Sequence, residues 1–172
     1  MPKKIAGETV LLEPSSREGT IYITAKYVYK IFGGRTNPYD ELLKYKTAEA
    51  RGVPLPATAK FTAQLQDGTN VQNVGGLRYS KIQGVFFQFS KGGGEKALIN
   101  EINKMVNREL LKTLIAGLES AAAIGVTDPQ GFISFNSNPP LTFIDLHYRG
   151  TPNIVSFQDS ITAAESRLQV LG

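Results

Sequence analysis

A chain of 172 residues, 41% hydrophobic and 20% charged, is long enough for one ordinary core that buries about 70% of its unfolded surface. It has no cysteine, which removes disulfides, thiolate nucleophiles and thiolate metal sites. No stretch approaches the length of continuous apolar residues needed to cross a membrane, and the net charge of +4 excludes a strongly basic tail.

That charge is unevenly laid out. Residues 1–112 carry 17 Lys/Arg against 10 Asp/Glu, whereas residues 113–172 carry two against five. Such a split suits a polyanion-binding half, or two complementary surfaces that meet between copies of the chain. The opening Met1-Pro2-Lys3-Lys4-Ile5 is basic but lacks the apolar core of a signal peptide. The expected location is therefore the cytoplasm or an assembly made there.

Residues 1–19 read as an N-terminal arm with one short strand at 9–12, followed by a single α+β domain over 20–172. The clearest strand pattern covers 20–32, with Ile21, Ile23, Ala25, Tyr27, Tyr29 and Ile31 alternating against Thr20, Tyr22, Thr24, Lys26, Val28 and Lys30. Gly33-Gly34 ends it. An extended loop follows at 33–58. Within it Asn37-Pro38-Tyr39-Asp40 forms a turn, 39–51 a short helix stopped by Gly52, and Pro54-Leu55-Pro56 an extended path. Loops of this length usually make contacts.

The strand pattern resumes at 59–66, where Ala59, Phe61, Ala63 and Leu65 alternate with Lys60, Thr62, Gln64 and Gln66. Asp67-Gly68 signals a hairpin, with 71–74 pairing back and Gly75-Gly76 allowing another turn. Strands are expected at 77–81 and at 85–90, the latter with Val85, Phe87 and Phe89 on one side.

The next segment, 95–123, is helical in period but its apolar stripe changes sides. Leu98, Ile99, Ile102, Met105 and Val106 form one stripe. Leu110, Leu111, Leu114, Leu118 and Ala121 form another, rotated by roughly 120°. The pattern predicts either a break near Arg108-Glu109 or one helix with two partners. Asp128-Pro129-Gln130-Gly131 is a turn, strands follow at 132–136 and 141–148, and a short C-terminal helix starts near Ser160. This order predicts an α+β fold built on a mostly antiparallel or barrel-like sheet, with one long, kinkable helix and a short C-terminal one.

Four local patterns bear on chemistry. A strand runs through Lys91-Gly92-Gly93-Gly94 into a helix at Glu95-Lys96, and free amides at a helix start can hold phosphate. The Gly-Lys-Ser/Thr ending of a phosphate loop is missing, and Glu95 opposes an anion, so a hinge is the better reading. His147 sits two residues after Asp145 on one strand face, the skeleton of a general base, with Ser134 or Ser137 as conceivable nucleophiles. No Gly-x-Ser-x-Gly elbow accompanies them, and a structural Asp–His pair is the commoner outcome. One histidine and scattered carboxylates give no metal-ligand spacing, so neither metal nor cofactor is expected.

The fourth pattern is a basic, tyrosine-rich sheet face. Residues 20–91 hold ten Lys/Arg against four Asp/Glu, interleaved with tyrosines. Tyr22, Lys26, Lys30, Lys60 and Arg78 would bind a single strand by stacking and phosphate neutralisation. Against it stands a reading as a non-enzymatic structural subunit of a homo-oligomeric assembly, with a virion or phage-tail-like component as the commonest setting. Its partners are copies of itself and other assembly proteins, with no membrane contact. Self-association would run through Pro54 and Leu55 of the loop and through the second helical stripe, Leu111, Leu114 and Leu118. The assembly reading takes precedence because arm, loop and offset stripes all reach beyond a single small core.

Overall fold

A computed structural model describes residues 2–13, 19–34, 36–90, 94–144, 146–153 and 157–172. The fold is α+β, with antiparallel sheets throughout and four helices among the described residues. Its residues fall into two compact units, Met1–Lys46 with Pro56–Lys81, and Thr47–Leu55 with Ile82–Gly172.

The first unit is a six-stranded sheet. Its strands are β1 (Lys4–Ile5), β2 (Glu8–Thr9), β3 (Gly19–Ile23), β4 (Tyr27–Phe32), β5 (Thr58–Asp67) and β6 (Asn70–Ser80), in the order β2-β1-β5-β6-β4-β3. The sheet curls into a half-barrel. Residues just after β2 reach the opposite edge, where Ile23 of β3 donates to Leu12 O (2.9 Å) and accepts from Leu11 N (2.7 Å). Inside lie Ile5, Tyr22, Tyr29 and Leu65, flanked by Val10, Phe61 and Val74. Residues 2–13 thus supply two strands and a core side chain to this sheet.

The alternation at 20–32 is two strands, not one. The chain reverses at 24–26, so Tyr22 pairs with Tyr29 and Ile21 with Lys30. No Gly, Pro, Asn or Asp marks this turn. Thr24 makes it: its backbone N–H donates to Tyr27 O (3.0 Å) and its hydroxyl accepts from Tyr27 N (3.1 Å). The hairpin at Asp67-Gly68 forms as its sequence signals, with Asp67 opposite Asn70. Gly75-Gly76, by contrast, is no turn. β6 runs straight through it, and a Cβ on Gly76 would collide with Lys30 O of the neighbouring strand. The glycine is there for close strand approach.

Helix α1 (Pro38–Ala50) starts where Asn37 Oδ1 accepts from Tyr39 N (2.9 Å), with Pro38 in the first turn and Asp40 and Glu41 behind it. Within the first unit it touches β5 and β6 through Tyr39, whose ring carries Lys60, and Tyr45, whose ring lies 5.7 Å from that of Tyr79.

The second unit holds β7 (Val85–Gln88), α2 (Gly94–Ile102), α3 (Arg108–Ile124), β8 (Val126–Thr127), β9 (Gln130–Ile133), β10 (Leu141–Phe143), β11 (His147–Tyr148) and α4 (Gln158–Leu171). Strands β10, β9 and β7 form one sheet and β11 and β8 a second. Phe87, Phe89, Phe143 and Phe157 interlock on the buried side, with ring centroids 5.5–6.1 Å apart.

The helical segment breaks at 103–107, a few residues before the position its stripes suggested. Lys104 N and Met105 N bond Glu101 O and Ile102 O (both 3.1 Å), which tightens and ends α2. Asn107 then caps α3, its Oδ1 accepting from Leu110 N at 3.1 Å. Helix α3 ends on Gly125, left-handed at φ 72°, where a side chain would also strike Thr151 O. With the break in place the offset stripes need no outside partner. Leu98, Ile102 and Met105 are fully buried, as are Leu111, Leu114, Leu118 and Ala121. Val106, assigned to the first stripe, is 69% exposed because the break turns it outward.

Two clasps hold the helices. Arg108 Nη1 donates to Leu168 O (3.0 Å), and Arg167 Nε to Met105 O (2.8 Å). Glu95 Oε1 accepts from Ser160 N (3.2 Å) and Ser160 Oγ (2.9 Å) in the first turn of α4. A carboxylate from one helix thereby satisfies one orphan amide of another.

Candidate functional site

The five residues grouped as a nucleic-acid face do not share a face. Register puts Lys30, Leu77 and Lys60 in one row across β4, β6 and β5, and Tyr29, Arg78 and Ala59 in the next row, on the other side. Tyr22, opposite Tyr29, belongs with Arg78 on the half-barrel interior, while Lys26 lies in the β3–β4 turn. The reversal at Thr24 flips Tyr22 relative to Lys30, and the β5–β6 register sets Arg78 away from Lys60.

Three of their cations, Lys30, Lys60 and Arg78, rest on aromatic rings of the same unit, and Tyr22 carries the cation of Lys3. Lys3 lies over the Tyr22 ring (5.9 Å), Lys30 over Phe32 (5.0 Å), Lys60 over Tyr39 (3.3 Å) and Arg78 over Tyr27 (4.2 Å). Four such contacts in the first unit compare with about one per 70–80 residues in proteins generally. The interleaving of basic and aromatic residues therefore has an intrachain use: ring faces that would stack on bases already carry cations.

Inside the half-barrel a polar clasp crosses the sheet. The Tyr29 hydroxyl donates to Glu8 Oε2, and Thr24 Oγ1 donates to Glu8 Oε1 at 2.9 Å. Burial pushes the Tyr29 phenol well above its ordinary 10.0, and the hydrogen bond and charge of Glu8 push the same way. The clasp joins edge strand β2 to β4, so it holds the curl.

The proposed self-association residues divide differently. Leu111, Leu114 and Leu118 are fully buried within the chain, which leaves no surface on them for a second copy. This corrects their assignment: the stripe is core. Pro54 and Leu55 are half-buried. Pro54 O accepts from Phe143 N (2.9 Å), which closes the outer edge of β10, and the Pro54 ring lies close against Gly117 of α3.

What lies outward in the second unit is aromatic. Phe86 of β7 and Phe132 of β9 are directly paired, with rings 5.6 Å apart, on the face opposite buried Phe87. Phe86 is 46% exposed and Phe135, just past β9, is 41% exposed, while Val85 (42%) lies on the other face of β7, with Phe87. The row continues to Thr142, which is buried, so the open part of the face is the β7–β9 half. Sequence reasoning passed over Phe86 because only the Val85–Phe87–Phe89 side was taken as meaningful. The signal was present in three consecutive apolar residues, 85–87, which commit both faces of a strand.

The remaining candidates are quickly placed. Lys91, Gly92 and Gly93 lie outside the described residues, and the carboxylate of Glu95 is committed to Ser160. Asp145 also lies outside them. His147 is half-buried in β11, opposite Thr127, whose hydroxyl donates to His147 O (3.4 Å). Ser137 Oγ donates to Ser134 Oγ (2.9 Å), which donates to Asn136 Oδ1 (3.0 Å). Among the described residues no three His, Cys, Asp or Glu gather as a metal site, and no helix is long and apolar enough to cross a membrane. No protein-family model matches the chain, and no curated protein matches it.

Proposed function

We propose that the chain is a non-enzymatic structural subunit of a homo-oligomeric assembly, with a virion or phage-tail-like particle as its setting. The observation that supports this reading is the outward pair Phe86 and Phe132, with Phe135 exposed just past the end of β9. Aromatic side chains left together at a surface mark a contact with another protein more often than they mark idle surface. The neighbouring Gln88, Gln130, Ser134 and Asn136 are uncharged, and the one carboxylate that reaches Gln88, Asp128, also accepts from Ser90 N. With the second helical stripe assigned to the core, this face takes its place as the self-association surface.

The test is Phe86→Ser, compared with wild type by size exclusion and light scattering. A half-exposed side chain is replaced, so the fold is retained. Wild type is expected to run as an oligomer and the variant to fall toward the 18.7 kDa chain mass. Equal masses for the two would remove this face from the assembly.

A further inference from the structure

The mouth of the half-barrel holds a polar cup that the assembly reading does not use. Leu65 pairs with Gln72 and Asp67 with Asn70 at the turn end of the β5–β6 hairpin, so all four side chains share the interior face. The curl brings Tyr22 of edge strand β3 to the same place, and Lys3, next to β1, closes the rim. The hollow measures about 400 Å³, within the roughly 300–1,000 Å³ of small-molecule clefts, and barrel mouths are among their usual positions. Its floor is the buried pair Tyr22 and Leu65, 6% and 5% exposed, and its wall is Lys3, Asp67, Asn70 and Gln72 with one apolar member, Val71.

The chemistry of this wall selects its ligand. Lys3 Nζ is 2.9 Å from Glu13 Oε2 and 3.9 Å from Asp67 Oδ2, so one cation is flanked by two carboxylates. A free anion meets the carboxylates and a free cation meets the ammonium, so neither is favoured. An apolar ligand would strand the four polar groups. What remains is a neutral molecule rich in hydroxyls that both donate and accept. Asp67 accepts, Lys3 and Tyr22 donate, and the Asn70 and Gln72 amides do both. Burial and the nearby carboxylates raise the Tyr22 phenol, which keeps its proton available as a donor.

We propose that this cup binds a neutral saccharide unit. The site belongs to the first unit alone, and its use does not depend on the oligomeric state. A chain that proves monomeric would overturn the assembly and leave the cup untouched.

The experiment is saturation-transfer NMR on the full chain with D-glucose, D-galactose and N-acetyl-D-glucosamine at millimolar concentration, with glycerol and inorganic phosphate as comparison ligands. At least one sugar should receive saturation from the protein, and glycerol should not. Gln72→Ala and Tyr22→Phe should each weaken that sugar about tenfold, the effect of losing one hydrogen-bond partner of the ligand. Gln72 is exposed and Tyr22→Phe keeps the ring, so both variants should retain the wild-type melting curve. Saturation of no sugar, equal transfer to glycerol, unchanged binding in both variants, or binding of phosphate in place of sugar would each overturn the proposal.

Discussion

Tyr29 shows how much one side chain carries in a small sheet. Its ring lies in the half-barrel core, 1% exposed and edge-on to Phe61 at 5.0 Å, while its hydroxyl holds Glu8 on the far edge strand. Tyr29→Phe keeps the ring and loses the bond, and should cost about 1–2 kcal/mol at neutral pH. The effect carries a pH signature. The folded phenol ionises above the ordinary 10.0 at which the unfolded one does, so the contribution is complete below pH 10.0. Above it the unfolded chain releases a proton that the folded chain retains, and the stabilisation is lost as pH rises. Urea midpoints of wild type and variant should therefore converge as pH climbs past 10. A constant gap would mean that the phenol is not shielded as described.

Elements differ in how far the sequence announces them, and the reasons are specific. The β5–β6 hairpin is legible because Asp67-Gly68 interrupts a clean alternation, and α1 because Asn37-Pro38 and Gly52 bracket it. The β3–β4 hairpin is hidden because its turn is built by a threonine hydroxyl, with alternation continuing on either side. That hidden turn puts Tyr22 on the side away from Lys30, and the β5–β6 register puts Arg78 on the side away from Lys60. The offset stripes of 95–123 leave a break and a second partner as alternatives; the chain takes the break, at a position that depends on Asn107, whose capping role is visible only once the helix ends there. Asn107→Ala should cost about 1 kcal/mol, read as a lowered urea midpoint at unchanged slope. No change would mean that the clasps at Arg108 and Arg167 set the break without the cap. The cup at the half-barrel mouth was not legible at all. Lys3, Tyr22 and the 67–72 hairpin are far apart in sequence, and only curl and register bring them together.

At the scale of the molecule, the basic excess of the chain lies in the first unit, with 11 Lys/Arg against six Asp/Glu, while the second unit has eight against nine. Four of those cations, Lys3, Lys30, Lys60 and Arg78, rest on aromatic rings, and register puts Lys30 and Lys60 on the side of the sheet away from Arg78. The outward aromatic pair, in the nearly neutral second unit, gives association a hydrophobic rather than an ionic basis. Such contacts persist or tighten as salt is raised, whereas a polyanion contact weakens steeply. The mass of the untagged chain by light scattering after size exclusion, at low and at high salt, is the most direct test. A species several times 18.7 kDa at both salts is the expected result, and a monomer at micromolar concentration in both would contradict the assembly.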